Sequence, residues 1–500
     1  MWIKDLGTSR ESANFLTARE SHPDGWAGYT FARTLDPAKY ERIVVSPRSY
    51  FVFTPLLAST AVGTLEFRAT LESVRRLGDV KFHQGWADDV DFNNKIIRVE
   101  ENHVDELSTK TVLPVPQATK GTASSDVQVT PVPAKGPVTE VRYDKLVIAV
   151  GAYSQTFGIE GVRQHAHFLR DVGDARRIRL KVLSIFEQCA SPSISDEDRK
   201  KLLHFAIVGG GPTGIEFAAE LHDLIHEDLK KMYADLLRYV QITVYDVAPK
   251  ILPMFDQALA GYAMRHFGRQ KIAVKTAHSI QRVRPDDNGL GGVLLKVKEY
   301  GGDEVGAGLV VWSTGLMQNP LVEKLCRKGI SGTASADTEF RLEKDRRSGG
   351  VIVDGQLRAR VIGAADADAL AASPPPAPGA PAAPRPQAHV LDDVYVIGDC
   401  SIPLPKTAQV ASQQAAFLSK TLNGKNPDAK PFAFRNLGTM TYLGNWKALW
   451  QKDRADLTGR TAWVLWRTAY MTRSMSIKNK VMIPIYWCVS WLFGRDISRF

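Results

Sequence analysis

Five hundred residues are too many for one hydrophobic core, so two or three domains are expected. A hydrophobic content of 44% is that of a globular chain, and a net charge of +10 suits nucleic acid, an anionic membrane or plain solubility, a choice that the distribution of charge decides. Cys189, Cys326, Cys400 and Cys488 lie far apart without a C-x-x-C pair, which speaks against a disulfide framework, a zinc site or a dithiol redox centre. No apolar run reaches the roughly 18 to 20 residues that cross a bilayer, and the first twenty residues show neither a signal-peptide h-region nor a clear transit pattern.

Residues 1–21 are polar and unpatterned, and are expected to be irregular. The turn Pro23-Asp24-Gly25-Trp26-Ala27-Gly28 follows, then a helix-like Tyr29 to Leu35 and a strand-like Arg42 to Val45. This reads as a nucleotide turn with its beginning missing: Pro23 stands where a first glycine belongs, and Phe15 to His22 makes a poor apolar strand. A plain surface turn is the alternative. No acid ends the following strand, where Ser46-Pro47-Arg48 sits. Tyr50 to Leu57 is apolar, aromatic and free of cysteine, so the dithiol of flavin disulfide reductases is not there; buried core is the simpler reading. Residues 104–139 lack periodicity and read as an exposed insertion. Lys145 to Val150 is a buried-strand run closing on Gly151-Ala152.

The strongest local pattern is His204 to Leu221, HFAIVGGGPTGIEFAAEL. An apolar strand opens into Gly209, Gly211 and Gly214 at G-x-G-x-x-G spacing, and an apolar helix follows. The first glycine permits the turn, the second lets backbone amides approach a pyrophosphate and the third lets helix pack on strand. The helix start then favours an anion. The strand Val240 to Tyr245 ends in Asp246, whose carboxylate can accept from ribose hydroxyls and repels a 2′-phosphate, favouring NADH over NADPH. A long polar helix, His222 to Arg238, stretches the usual spacing to that acid. Strands follow near 272–274 and 292–297, and Leu309 to Gly315 repeats the apolar strand closing on a small-residue turn. Two similar halves result, one dinucleotide fold inserted in the other.

Residues 364–389 are rich in Pro and Ala and are expected to be disordered or polyproline-like. Val394 to Asp399 is an apolar strand ending in Gly398-Asp399, which can place a carboxylate on a flavin ribityl chain or simply form a turn. Thr407 is the expected N-cap of a helix carrying Gln409, Gln413 and Gln414, which face either a ligand or solvent. The tail from Met440 holds six of the ten tryptophans and ten Lys/Arg against three Asp. Its longest apolar piece, Val481 to Phe493, is thirteen residues and contains Pro484. That is too short to span a membrane but suits lying in its interface, with a dimerisation or packing face as the alternative. Because the stripe is aliphatic as well as aromatic, base stacking on nucleic acid is the weaker reading.

Taken together, GWAGYTFARTLDP, VVSPRSYFVFTPLLASTAVGT, YDKLVIAVGA, IVGGGPTGIEFAAEL, VYVIGDC, AQVASQQAAFL and the aromatic tail make the chain resemble the type II NADH dehydrogenases, the single-subunit alternative NADH:ubiquinone oxidoreductases, of the fungal mitochondrial kind. The resemblance runs from Gly25 to the end. It implies an α/β fold of two Rossmann-like domains, with FAD-binding parts at 22–200 and 331–430, an NADH-binding part at 201–330 inserted between them, and a membrane-associating or dimerising region at 431–500. It implies FAD on Gly25, Gly28, Ser46, Pro47, Arg48, Thr54, Pro55 and Asp399, with Gly151, Gly315 and Gly398 in the supporting turns. NADH would lie on Gly209, Gly211 and Gly214, with Glu216 near the nicotinamide and Asp246 at the adenosine ribose. Ubiquinone would approach beside Gln409, Gln413 and Gln414, with Glu216, Gln409 and Gln413 positioning groups or relaying protons. No metal is needed. The implied location is the surface of the mitochondrial inner membrane, on either face. The family's first strand and first glycine are absent from this reading, so a shortened N-terminus is expected, with a degenerate flavin site as the alternative. A flavin-deficient membrane-peripheral binding protein and another FAD-dependent quinone reductase, such as a sulfide:quinone reductase, are the rivals; the latter needs paired cysteines.

Overall fold

The computed structural model describes residues 11–16, by their backbone, and residues 25–101, 136–331, 339–373, 386–426 and 430–498. Two compact units make up the chain. The first comprises Met1–Phe51, Ser73–Tyr153 and Met317–Arg435, and the second Val52–Glu72, Ser154–Leu316 and Asn436–Phe500.

In the first unit one mixed sheet contains ten strands among the described residues. Its centre is parallel, with His389–Val396, Lys145–Ile148, Glu11–Leu16, Tyr40–Ser46 and Val80–Asp91 side by side. Antiparallel strands extend both edges, Ile96–Glu101 and Val138–Arg142 on one side and Arg358–Gly363 and Glu339–Leu342 on the other. Glu11–Leu16 corrects the expectation of an irregular N-terminus lacking the first strand. Phe15 stands in register with Val44 on one neighbour and Val147 on the other. The sequence ESANFL has no apolar run, and it is the parallel partners on both sides that make it a strand, as tertiary context overrides propensity. Residues 17–24, including Pro23, lie outside the described residues.

The second unit has a five-stranded parallel sheet in the order His167–Phe168, Leu309–Trp312, His204–Val208, Gln241–Asp246 and Ala273–Thr276. Its central strand shows no alternation of apolar and polar residues because both faces are covered: all five residues of His204–Val208 are buried. A three-stranded antiparallel sheet, Ile280–Pro285, Val293–Val297 and Glu304–Ala307, belongs to the same unit. So does the C-terminal meander Thr439–Gly444, Lys447–Lys452 and Ala455–Thr458, which leads into the helices Gly459–Arg473 and Ile477–Phe493.

Two further expectations are corrected. The predicted polar helix His222 to Arg238 is instead the end of Pro212–Asp223, a π-helical turn Leu224–Asp228 and 3-10 turns Leu229–Lys231 and Ala234–Tyr239. Within the Pro/Ala-rich stretch, Ala364–Ala372 forms a helix with no buried residue, as six alanines in nine positions favour. Residues 374–385 of that stretch and 102–135 of the earlier insertion lie outside the described residues.

Candidate functional site

In the second unit the turn after His204–Val208 sits where the strand order reverses, with Gln241–Asp246 on one side and Leu309–Trp312 on the other. Ligands of open α/β sheets bind at such switch points. Gly209 has φ +118°, a conformation that side chains disfavour. Gly214 could not carry a Cβ, which would lie 2.0 Å from the Gly209 carbonyl oxygen and 2.6 Å from Ser313 Oγ. Gly211 differs, since a Cβ there would meet nothing within 4 Å. That open space lies at the start of Pro212–Asp223, a helix with Gly211 as N-cap, Pro212 in its first turn and no acid there. Backbone amides and a helix dipole thus face room for an anion. Asp246 ends the neighbouring strand and accepts from Gly210 N–H and, at 2.7 Å, from Ala248 N–H, which fixes its carboxylate beside the turn. Ser313 Oγ donates to the Val208 carbonyl at 3.1 Å and ties the next strand end to the same place. Gly315, two residues on, has φ +61°.

In the first unit, helix Trp26–Thr34 begins at Gly25, with no side-chain cap and no acid in its first turn; Gly28 is buried. The turn at Gly398, φ +78°, abuts it closely enough that a Cβ would lie 3.1 Å from the Ala27 Cβ. Asp399, half-buried, follows in that turn. Gly151 has φ +65° and open space where a Cβ would stand. Ser46 and Pro47 are buried; Ser46 Oγ donates to the Arg48 carbonyl at 2.6 Å and accepts from the Arg48 amide at 3.1 Å, setting the turn after Tyr40–Ser46. The unit therefore repeats the arrangement of parallel strand, helix start and glycine turns, and its residues suit a second dinucleotide. Thr54, exposed, and Pro55 start a 3-10 turn that belongs to the second unit.

The three glutamines of helix Ala408–Leu422, whose N-cap Thr407 accepts from Val410 N–H, are used differently. Gln414 is 1% exposed; its Oε1 accepts from Gly398 N–H at 2.7 Å and its Nε2 donates to Ser401 Oγ at 3.0 Å. Gln413 exchanges two hydrogen bonds with the Arg435 backbone, at 2.9 and 3.0 Å. Gln409 is half-buried in the first turn of the helix. Glu216, on Pro212–Asp223, is 7% exposed and bonds to the C-terminal region: its Oε1 accepts from Tyr442 N–H at 3.0 Å and Trp466 Nε1–H at 3.2 Å. Burial raises its carboxyl to about 8. One turn on, burial also raises Glu220, which accepts from Ser59 Oγ and, at 3.0 Å, Thr64 Oγ1.

Residues 24–342 match the pyridine nucleotide-disulphide oxidoreductase family, and residues 436–496 match the NDH2 C-terminal domain. A probable NADH dehydrogenase of Dictyostelium discoideum is 36% identical over 488 residues, covering 95% of this chain and 90% of its own. The internal alternative NAD(P)H-ubiquinone oxidoreductase A1 of Solanum tuberosum, a mitochondrial protein, is 33% identical over 95% of this chain and 86% of its own. This chain belongs to the type II NADH dehydrogenases. The NDH2 structure from Plasmodium falciparum in complex with NADH shares its fold, with a TM-score of 0.76 at 23% identity over 98% of this chain and 100% of that one.

Within this type II NADH dehydrogenase the four thiols are free, three of them buried and Cys488 exposed. Several site-region residues carry no sequence signal of their own. Tyr442, Trp466, Ser59 and Thr64 reach the acids of Pro212–Asp223 from segments 150 to 250 positions away, and only the aromatic tail hinted at Trp466. Arg495, buried beside Asp228 at 2.8 Å and Glu227 at 2.7 Å, anchors the end of the chain to the same helix run.

Proposed function

We propose that this type II NADH dehydrogenase oxidises NADH and reduces ubiquinone at a membrane surface. The observation that carries the reading is the glycine turn and uncrowded helix start that follow the parallel strand His204–Val208 in the second unit, together with the Gly398 turn set against helix Trp26–Thr34 in the first. Gly209, Gly211 and Gly214 hold the NADH pyrophosphate, and Asp246 accepts from the adenosine ribose hydroxyls. Gly25, Gly28, the Ser46-Pro47-Arg48 turn, Gly151, Gly398 and Asp399 hold FAD. Bound FAD supplies a hydride acceptor that can pass on two electrons. Gln409, Gln413 and Gln414 lie on the quinone side, where Gln414 positions the Gly398-Asp399 turn and Gln413 the backbone at Arg435. Glu216, expected near the nicotinamide, is assigned instead to the quinone side because it bonds to Tyr442 and Trp466 of the C-terminal region: NADH, one proton and quinone give NAD⁺ and quinol, and a neutral buried carboxyl is a suitable source for that proton. No helix among the described residues is long and apolar enough to cross a membrane. Without such a path the reaction moves no charge across the bilayer.

We keep 22–200 and 331–430 as the FAD-binding parts, 201–330 as the NADH-binding part and 431–500 as the membrane region, with the difference that 52–72 and 154–200 are included in the second unit. Helix Ile477–Phe493 buries Asn479, Ile483 and Trp487 and exposes Ile477, Val481, Ile485 and Val489, both rows spaced by four. Trp491, Leu492 and Phe493 are 67%, 62% and 83% exposed, and Lys478 and Lys480 flank the start. An aliphatic row with aromatic end and basic flank suits an anionic interface. We place the protein on the mitochondrial inner membrane, several relatives being named as mitochondrial; pairing of two copies through this face is the other use of the row. Purified protein that carries FAD, released on denaturation, supports the reading. Colourless protein that still binds anionic vesicles supports the flavin-deficient rival instead.

A further inference from the structure

The Glu216 carboxyl is held from one side. Both of its donors, the Tyr442 amide and the Trp466 indole, converge on Oε1. Tyr442 lies on the strand Thr439–Gly444 and Trp466 on the helix Gly459–Arg473. The indole is 3% exposed and packed between Tyr442, at 5.5 Å between ring centroids, and Tyr470, at 4.9 Å, so its N–H has one direction available. An oxygen that already accepts two hydrogen bonds is the poorer place for a proton. A neutral Glu216 therefore carries its proton on Oε2.

The other groups around Glu216 leave this arrangement in charge. Glu220 on the same helix opposes a charge on Glu216, and the Tyr470 hydroxyl, which burial keeps neutral, adds no charge of its own. The Tyr442 hydroxyl is engaged by Asp223 at 2.7 Å. The cations Arg467 and Arg495 act on Glu220. Burial against these neighbours keeps the acid neutral up to about pH 8, and the indole and amide are what favour its carboxylate.

We propose that Trp466 is a positioning residue for quinone reduction: its indole fixes the Glu216 proton on Oε2 and stabilises the carboxylate left when that proton goes to a quinone oxygen. The inference rests on the reading of Glu216 as the quinone-side acid. In the step, the Oε2–H bond breaks and a quinone O–H bond forms. Both electrons and the other quinol proton derive from the hydride of NADH, and the carboxylate regains its proton from solvent. Trp466 also links that acid to a helix whose Val464 is 55% exposed, so the fit of the C-terminal region bears directly on proton delivery.

The test compares W466F, W466H and E216Q with the wild-type holoenzyme. In W466F, which keeps a ring and loses the donor, kcat for quinone falls about ten-fold with KM for quinone unchanged, the loss of one hydrogen bond to a charged group. The alkaline limb of the pH profile moves up by about one unit. Bleaching of the flavin by NADH keeps its wild-type rate. The protonated-carboxyl infrared band that E216Q removes titrates at higher pH in W466F than in wild type, a readout independent of turnover. W466H, which restores a ring N–H, recovers part of the rate and serves if W466F does not fold. A W466F profile and infrared titration superimposable on wild type, with E216Q lacking the limb, overturns the role of Trp466 alone. An alkaline limb that survives in E216Q overturns the reading of Glu216 itself.

Discussion

Glu216, Asp246 and the glycines of the nucleotide turn carry the sharpest consequences at the scale of single residues. Glu216 has its carboxyl raised by burial from an ordinary 4.5 to about 8, so the folded protein binds a proton there that the unfolded chain releases. The associated stability is complete below pH about 4.5 and is lost as the pH climbs through about 8. Thermal unfolding followed between pH 5 and 9 should show this decline in wild type and a flatter profile in E216Q; parallel profiles would mean that Glu216 is already charged in the fold. Asp246→Asn removes the charge that repels a 2′-phosphate, and NADPH oxidation relative to NADH should rise, by roughly ten-fold for one charge–charge term. Unchanged selectivity would contradict the ribose assignment. Gly214→Ala and Gly211→Ala separate structure from binding. The first forces a Cβ onto the Gly209 carbonyl and should cost about 1–3 kcal/mol in urea unfolding. The second meets nothing in the protein, so it should unfold close to wild type, within about 1 kcal/mol, yet bind NADH several-fold more weakly.

Elements differ in how openly the sequence declares them, and the reasons are physical. The turns at Gly209, Gly214 and Gly398 were legible because only glycine tolerates the φ at Gly209 and Gly398 and the clearance at Gly214, so that part of the pattern is written locally. The N-cap at Thr407 was legible for the same local reason. Glu11–Leu16 was hidden because a polar hexapeptide becomes a strand only through its parallel neighbours. His222 to Arg238 misled because its helical periodicity continues past a π-helical turn that begins at Leu224. The employment of Gln413 and Gln414 on backbone groups, and the grip of Trp466 on Glu216, depend on partners far along the chain that no local pattern encodes. At this scale the helix Ile477–Phe493 gives a direct prediction. Ile485→Glu, on its 47% exposed side, should weaken binding to anionic vesicles at least ten-fold while soluble-quinone reduction persists, since charge at interfacial depth is costly. Vesicle binding equal to wild type would assign the aliphatic row to contact between copies of the chain.

For the whole molecule, we propose a two-site conduit in which each unit holds one dinucleotide and the C-terminal region brings the second acceptor from the membrane. The basic, aromatic tail then belongs to the same function as the glycine turns, with Glu216 lying where both meet within the second unit, on the nucleotide-turn helix and bonded to Tyr442 and Trp466 of the tail. The central claim is an electron path from NADH through a bound flavin to quinone, and an anaerobic titration of the purified protein followed by its visible absorption tests it most directly. The account predicts a flavin band that one equivalent of NADH bleaches and that a ubiquinone analogue then restores. A band that NADH leaves unchanged, or that quinone fails to restore once bleached, would contradict it.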